Sequence, residues 1–317
     1  MVEFITNNIS TINFVLINIA LGLSIYLTLT TGLLSLANAG FMAIGAYTTA
    51  IILTKMHMSF ALGVLLAVSF GVALALPLGM LVLRLRDIYL AIATLGFGEI
   101  VRIMVLNGDK LVRIFSQNKD LTIFNGAEGI MVPYTTPKVV LGLPDTTWSI
   151  LLYVIVTTYL LATLQNSRYG RVLAAIRQDE TAASTLGINV VRYKLLAFVL
   201  GAAIASGAGA FSAPIVRVID PHNYVFGRAV DILAYAVLGG MTHWAGPIIG
   251  ASVLTALPEV LRSLKDQREV VNGLIIMLSI IYLPAGLADP RIWAGWRKII
   301  SSPAIWGTKK RNNNGGQ

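Results

Sequence analysis

The chain has 317 residues, 56% of them hydrophobic and only 12% charged, and contains no cysteine. Soluble domains carry about 25% charged residues, so this composition belongs in a membrane; the missing thiols exclude disulfides, thiolate metal sites and cysteine nucleophiles. A net charge of +9 would suit nucleic acid in a soluble protein, but here the basic residues cluster beside apolar segments, as expected for orientation against a cytoplasmic leaflet. His57, His222 and His243 have no metal-ligand spacing, and the start, "MVEFITNNIS", lacks the basic n-region and small-residue cleavage site of a signal peptide.

A crossing of the bilayer needs about 20 apolar residues. Phe4 to Thr54 is 51 residues without a charge, which as one helix would run ~75 Å, far too long for one span. The break is expected in "TTGLLSLANAGFMAIGAY", where Gly32, Ser35, Asn38 and Gly40 weaken helical continuity. Ser59 to Leu83 reads as a further span, kinked at Pro77. Arg84 to Asn107 is a span carrying Glu99 and Arg102, followed by a mixed-polarity loop over 108–147 with balanced charge. Thr146 to Ser167 and Leu195 to Val216 are spans that flank a charged segment, 165–194. Then come the uncharged stretch Ile232 to Pro258 and a last apolar segment, Val270 to Ala288. The tail, 291–317, is basic at every charged position and ends in "NNNGGQ", which reads as disordered.

Basic links stay on the cytoplasmic side, which puts the Arg84–Asp87 link, the loop 165–194 and the tail inside, and the loop 108–147 outside. A single crossing by Ile232–Pro258 would put the basic tail outside. The charges agree only if that stretch enters and returns from the same side, and "AVLGGMTHWAGPIIGASVL" permits this through Gly239, Gly240, Gly246 and Pro247. Together with "SLANAGFMAIGAY" it makes a pair of interrupted segments in corresponding places of the two halves, the sequence pattern that points to a transport pathway. Close helix packing through small residues is the competing reading.

"SRYGRVLAAIRQDETAASTLGINVVRYKLLAF" is too charged for lipid and too short for a domain. Val172, Ile176 and Ala183 recur at helical spacing, Arg177 falls on the polar side, and Gly187 serves as C-cap. Such a helix between two spans either docks in a groove of a soluble partner or lies on anionic headgroups; Asp179 and Glu180 weigh against the second.

This segment resembles the cytoplasmic loop of the permeases of high-affinity branched-chain amino acid ABC transporters, the LivM type. "LSLANAGFMAIGAYTTA", "IYLAIATLGFGEIVRIMVLN" and "ILAYAVLGGMTHWAGPIIGASVL" resemble the same permeases in the same order, over most of Leu34 to Pro258. The resemblance implies an all-α polytopic membrane protein of about eight hydrophobic segments, one or two of them broken or re-entrant, with a cytoplasmic coupling helix between two spans. Residues 1–290 then form the permease domain. The implied ATPase-coupling residues are Gly170, Arg171, Ala174, Ile176, Arg177, Asp179, Glu180, Ala182, Ala183, Gly187 and Ile188. Ala182, Ala183 and Gly187 fill the general importer pattern of two alanines, three residues and a glycine, while Thr181 stands where glutamate is usual. Ala37 and Asn38 replace the family's glycine–histidine pair, and "LTIFNGAEGI" interrupts its outer-loop motif, with Thr122, Gly126, Gly129 and Ile130 still matching.

Pathway or substrate positions are expected at Asn38, Tyr47, Thr94, Glu99, Gly239, Gly240, His243 and Trp244. A charge at mid-bilayer costs at least ~2.5 kcal/mol. Glu99 and Arg102, three apart on one helical face, therefore read first as a mutual ion pair, and Arg228 and Asp231 repeat that spacing. The expected function is an ABC-importer permease for leucine, isoleucine and valine in the bacterial inner membrane. The alternatives are a permease for urea, short amides or other amino acids, or an ion-coupled secondary transporter. No phosphate-binding loop pattern occurs, so no cofactor is expected in this chain and ATP belongs to two separate ATPase subunits. A second permease, similar or identical, and a substrate-binding protein complete the expected partners, and no enzymatic chemistry is expected.

Overall fold

The structure, a computed structural model, describes residues 9–85, 87–116, 123–133, 139–140, 143–241, 243–260, 273–274, 277 and 286–287. Arg86, Thr122, most of the apolar segment 270–288 and the tail 291–317 lie outside the described residues.

Helix α1 (Ile9–Leu29) ends where "TTGLL" begins, and α2 (Asn38–Thr54) starts only after an extended stretch, so the uncharged N-terminal run breaks where its small and polar residues predict. Three helices follow: α3 (Phe60–Val82), with Pro77 inside it, α4 (Asp87–Ser116) and α5 (Asp145–Asn166). Helix α4 continues nine residues past Asn107, where the sequence places the start of the loop. Two short helices, α6 (Arg168–Gln178) and α7 (Glu180–Thr185), lead into α8 (Val190–Val216), and the described order closes with α9 (Phe226–Gly239) and α10 (Ala245–Val260).

Five of these helices, α1, α3, α4, α5 and α8, are long and apolar enough to cross a membrane. They divide into an inner and an outer set. In the most apolar stretches of α1 and α8, 78% and 72% of residues are buried, against 22%, 33% and 28% for α3, α4 and α5. The outer helices turn Leu65, Leu81, Ile92, Met104, Leu152 and Ile155 outward, all more than half exposed. A continuous apolar belt of this size is lipid-facing surface rather than a soluble exterior.

The inner set packs through small residues. A Cβ at Gly45 of α2 would overlap the Ser206 carbonyl of α8, and one at Gly209 of α8 would overlap the Met42 carbonyl of α2. Between helices in lipid the hydrophobic effect supplies little, so backbone proximity and van der Waals contact carry the association. Phe41 of α2 adds ring contacts to Phe97 of α4 (5.0 Å) and Phe198 of α8 (5.8 Å).

The connections sort to two ends. The α6 end carries α6, α7, the 83–87 link and the stretch between α1 and α2; Gly79, near the end of α3, lies against Leu195 and Phe198 at the start of α8. The opposite end carries residues 123–133 and the α8–α9 link, joined by the antiparallel pair β1 (Ile130–Met131) and β4 (Val218–Ile219); a separate antiparallel pair is formed by β2 (Val139–Val140) and β3 (Leu143–Pro144). Asp109 holds the 123–133 segment, its Oδ1 accepting from the Ile123 and Phe124 amides (2.6 and 2.8 Å). The stretch 232–258 enters and returns from one end: Gly239 lies against Gly246, and Gly250 against Tyr235, the pairing of two antiparallel helices.

Gly45→Leu forces a branched side chain into the Ser206 carbonyl; overpacking of this kind costs about 1–3 kcal/mol. The purified variant should unfold at a clearly lower temperature than the parent, whereas Gly96→Ala, inside α4 with nothing within 4 Å of the new methyl, should not lower the midpoint.

Candidate functional site

The two breaks in the helical pattern meet at one place. Helix α1 finishes in a Schellman-type turn: the Leu33 amide donates to Thr28 (3.1 Å) and the Gly32 amide to Leu29 (3.1 Å), with Gly32 at φ +77. The Leu36 amide donates to Thr94 Oγ1 of α4 (2.9 Å), and Asn38 Nδ2 donates to Ser24 Oγ of α1 (2.7 Å). Thr94 thus supplies a partner to the connecting stretch, and Asn38 ties the start of α2 to α1. Asn38 and Thr94, expected on the pathway, serve this break.

The second break, between α9 and α10, is built the same way. Gly240 takes φ +103, and the Trp244 amide donates to Gln165 Oε1 of α5 (3.3 Å). His243 turns back on its own segment: its Nδ1 accepts from the Ala245 amide (3.2 Å) and its carbonyl from the Gly246 amide (2.9 Å). The Leu287 amide donates to the Leu238 carbonyl (3.0 Å), and Gly286 lies against Gly240.

Arg177 of α6 touches both breaks. Its backbone and Cγ come within 3.7 and 3.8 Å of where a Gly32 Cβ would stand, and its Nη1 donates to the Met241 carbonyl (3.4 Å). A cavity of about 430 Å³ opens beside it between α1, α5, α6 and Met241.

The helix read over "RVLAAIRQDETAA" is in fact two. Asp179 is extended (φ −158, ψ 112) and its Oδ1 accepts from the Thr181 and Ala182 amides (2.7 and 3.0 Å), capping α7. A short acidic side chain competes for backbone amides better as an N-cap than inside a helix, so the chain stops and restarts there. The buried positions are Leu173, Ile176 and Ala183; Val172, expected among them, is only half-buried. Gly187 caps α7 as expected, with φ +82, the Ile188 amide donating to Ala183 (3.2 Å) and the Gly187 amide to Ser184 (3.0 Å). Gly170 packs against the Gln165 and Leu164 carbonyls, which fixes the corner between α5 and α6.

Of the expected coupling residues, Ile176 and Ala183 face the protein, and Arg171, Ala174, Asp179, Ala182 and Gly187 are exposed. Glu180 pairs with Lys194, whose buried ammonium lies at the start of α8. Leu186, 80% exposed, is the apolar residue sequence reasoning missed; it stands next to the cap glycine, and an uncovered leucine on an otherwise charged loop was the available signal.

At the opposite end, Tyr47 donates to the Ile219 carbonyl (3.0 Å) and packs on Tyr224 (6.2 Å). Burial pushes the Tyr224 phenol up to about 12, so it stays neutral at physiological pH. Glu99 and Arg102 form the expected ion pair, with Arg102 Nε 3.0 Å from both carboxylate oxygens. The repeated spacing at Arg228 and Asp231 does not give a second one. Arg228 donates instead to Asn18 Oδ1 of α1 (2.7 Å) and to the Tyr235 hydroxyl of its own helix (3.5 Å). Among the described residues there is no cluster of three metal-ligating side chains.

A helical protein with lipid-facing outer helices and two interrupted segments joined by a short surface helix is a membrane transport protein in its architecture. The chain belongs to the family described as branched-chain amino acid transport system / permease component, whose model matches residues 7–283. It is 34% identical over 297 residues to the high-affinity branched-chain amino acid transport system permease protein LivM of Salmonella typhimurium, spanning 88% of this chain and 69% of that protein. To LivM of Escherichia coli it is 34% identical over 304 residues, 90% and 71% of the two chains. LivH of Escherichia coli is 34% identical over 127 residues, 39% and 41%. No solved structure matches significantly.

Asp179→Ala removes the two cap hydrogen bonds, a loss of about 0.5–2 kcal/mol. Hydrogen–deuterium exchange across residues 180–186 should quicken several-fold, and Asp179→Asn, which keeps the acceptor, should restore protection.

Proposed function

We propose that the chain is the membrane subunit of an importer for branched-chain amino acids, with the α6 end on the cytoplasmic side of a bacterial inner membrane. The distribution of basic residues supports that orientation: loop 165–194 carries five basic residues against two acidic, while 109–145 is balanced four to four. The names of the LivM and LivH relatives support the cargo and a second permease as partner. Two ATPase subunits and an external substrate-binding protein complete the assembly, and ATP is bound by the ATPases rather than by this chain. Residues 1–290 form the permease, with 108–147 outside and 291–317 a cytoplasmic tail.

The observation that carries the mechanism is the contact of Arg177 with both breaks. An ATPase that grips the exposed surface of α6 and α7 moves a lever with two attachments. Arg177 transmits to the α1–α2 and α9–α10 turns, and the Glu180–Lys194 pair, with Ala183 buried beneath it, transmits to α8. Interrupted helices yield at their turns, so displacement of α6 shifts half-helices rather than whole spans. Arg171, Asp179, Ala182, Leu186 and Gly187 form the gripped surface; Ile176, Ala183 and Ile188 anchor it. On the pathway, half-helix ends near Gly239 and Gly240 can hold a zwitterion's charged groups without a charged side chain.

A pull-down of the tagged full-length chain from native membranes tests this directly. The parent should bring down an ATPase and a second permease. Leu186→Arg, at a fully accessible position with ordinary backbone, should lose the ATPase while keeping the permease partner. Recovery of the chain with no ATPase would favour an ion-coupled transporter; undiminished recovery with Leu186→Arg would remove α7 from the interface.

A further inference from the structure

The cavity at the α6 end holds an unexplained donor. Tyr26 of α1 is 2% exposed, lines the cavity, and its hydroxyl has no hydrogen-bond partner among the described residues. A buried hydroxyl without a partner costs roughly 1–3 kcal/mol, so a position that keeps one has a use for it. Arg177 lies at the exposed rim of the same cavity, with one long bond to Met241 and most of a guanidinium's five N–H donors still to place. Leu27, Leu161, Leu164 and Leu173 supply apolar walls, and among the described residues no acidic side chain lines the space. At about 430 Å³ the cavity falls within the ~300–1,000 Å³ common for small-molecule sites.

We propose that this cavity binds a small aliphatic carboxylate, its carboxylate group on Arg177 and the Tyr26 hydroxyl and its hydrocarbon body against the leucines. Because none of the described acidic side chains faces the cavity, an ammonium group has no counter-charge among them. The site therefore favours a 2-oxo acid or a simple branched carboxylate over the corresponding amino acid. The ligand would sit between α1, α5, α6 and the second break, so occupancy ties the short surface helix to the hairpin it contacts. That the cavity faces the cytosol rests on the orientation proposed above; the binding itself does not.

The test is equilibrium binding of radiolabelled 4-methyl-2-oxopentanoate to the purified full-length chain in detergent. The parent should bind saturably, one ligand per chain. Arg177→Gln should weaken binding about tenfold, Tyr26→Phe about threefold, and Arg168→Gln, exposed on the same helix but outside the cavity, should leave it unchanged. The thermal midpoint of Tyr26→Phe, relieved of an unpartnered hydroxyl, should be no lower than that of the parent, separating lost binding from lost folding. Leucine should compete about tenfold less well. Absence of saturable binding, or equal binding by the parent, Tyr26→Phe and Arg177→Gln, would overturn the site, and equal competition by leucine would overturn its preference. Either result leaves the ATPase recovery experiment to stand or fall separately.

Discussion

Backbone N–H and C=O groups at membrane depth have no water to turn to, and that constraint shapes this molecule more than any single contact. Regular helices meet it internally. At the two breaks beside α6 it is met by borrowed side chains: Thr94 accepts from the Leu36 amide, Gln165 accepts from the Trp244 amide and Arg177 donates to the Met241 carbonyl. These side chains come from α4, α5 and α6, so each irregular stretch is tied to elements distant in sequence. Anything that moves α6 changes the environment of both breaks.

The layered packing makes this workable. Helices α1, α2 and α8 interlock through glycine, alanine and serine at backbone distance, a rigid centre in which a single added methyl group meets main chain. The α9–α10 hairpin packs on α1 at Gly22, against Pro247 and Tyr235, and adds polar bonds from Asn18 to Thr255 and from Arg228 to Asn18. Directional bonds of this kind can exchange partners without opening a void, a suitable joint between a fixed centre and a hinged pair of half-helices.

Much of this was legible in the residues. A 51-residue uncharged run has to break, and Gly32 and Asn38 mark where it does; Gly239 and Gly240 mark the second break, and Gly187 announces the end of α7. Glu99 and Arg102 declare each other by spacing. What the sequence could not carry was the long-range pairing. Arg228 looked tied to Asp231 because they share a helix face, yet its partner is Asn18, 210 positions away. Nor could the sequence carry the bonds that join Asn38 to Ser24 and Thr94 to the Leu36 amide, which cross between helices and their connecting stretch. Asp179 looked like one more charge on a helix; its role as a cap depends on a local choice between two competing hydrogen-bond patterns. The meeting of both breaks at Arg177 has no sequence signature.

The central claim is that Arg177 transmits the motion of the coupling loop to the two breaks. The most direct measurement is the ratio of amino acid taken up to ATP hydrolysed by the reconstituted transporter carrying Arg177→Ala. The account predicts a complex that assembles and hydrolyses ATP with uptake per ATP reduced at least about tenfold, while Arg168→Ala keeps the parental ratio. A parental ratio in Arg177→Ala, with assembly intact, would contradict it.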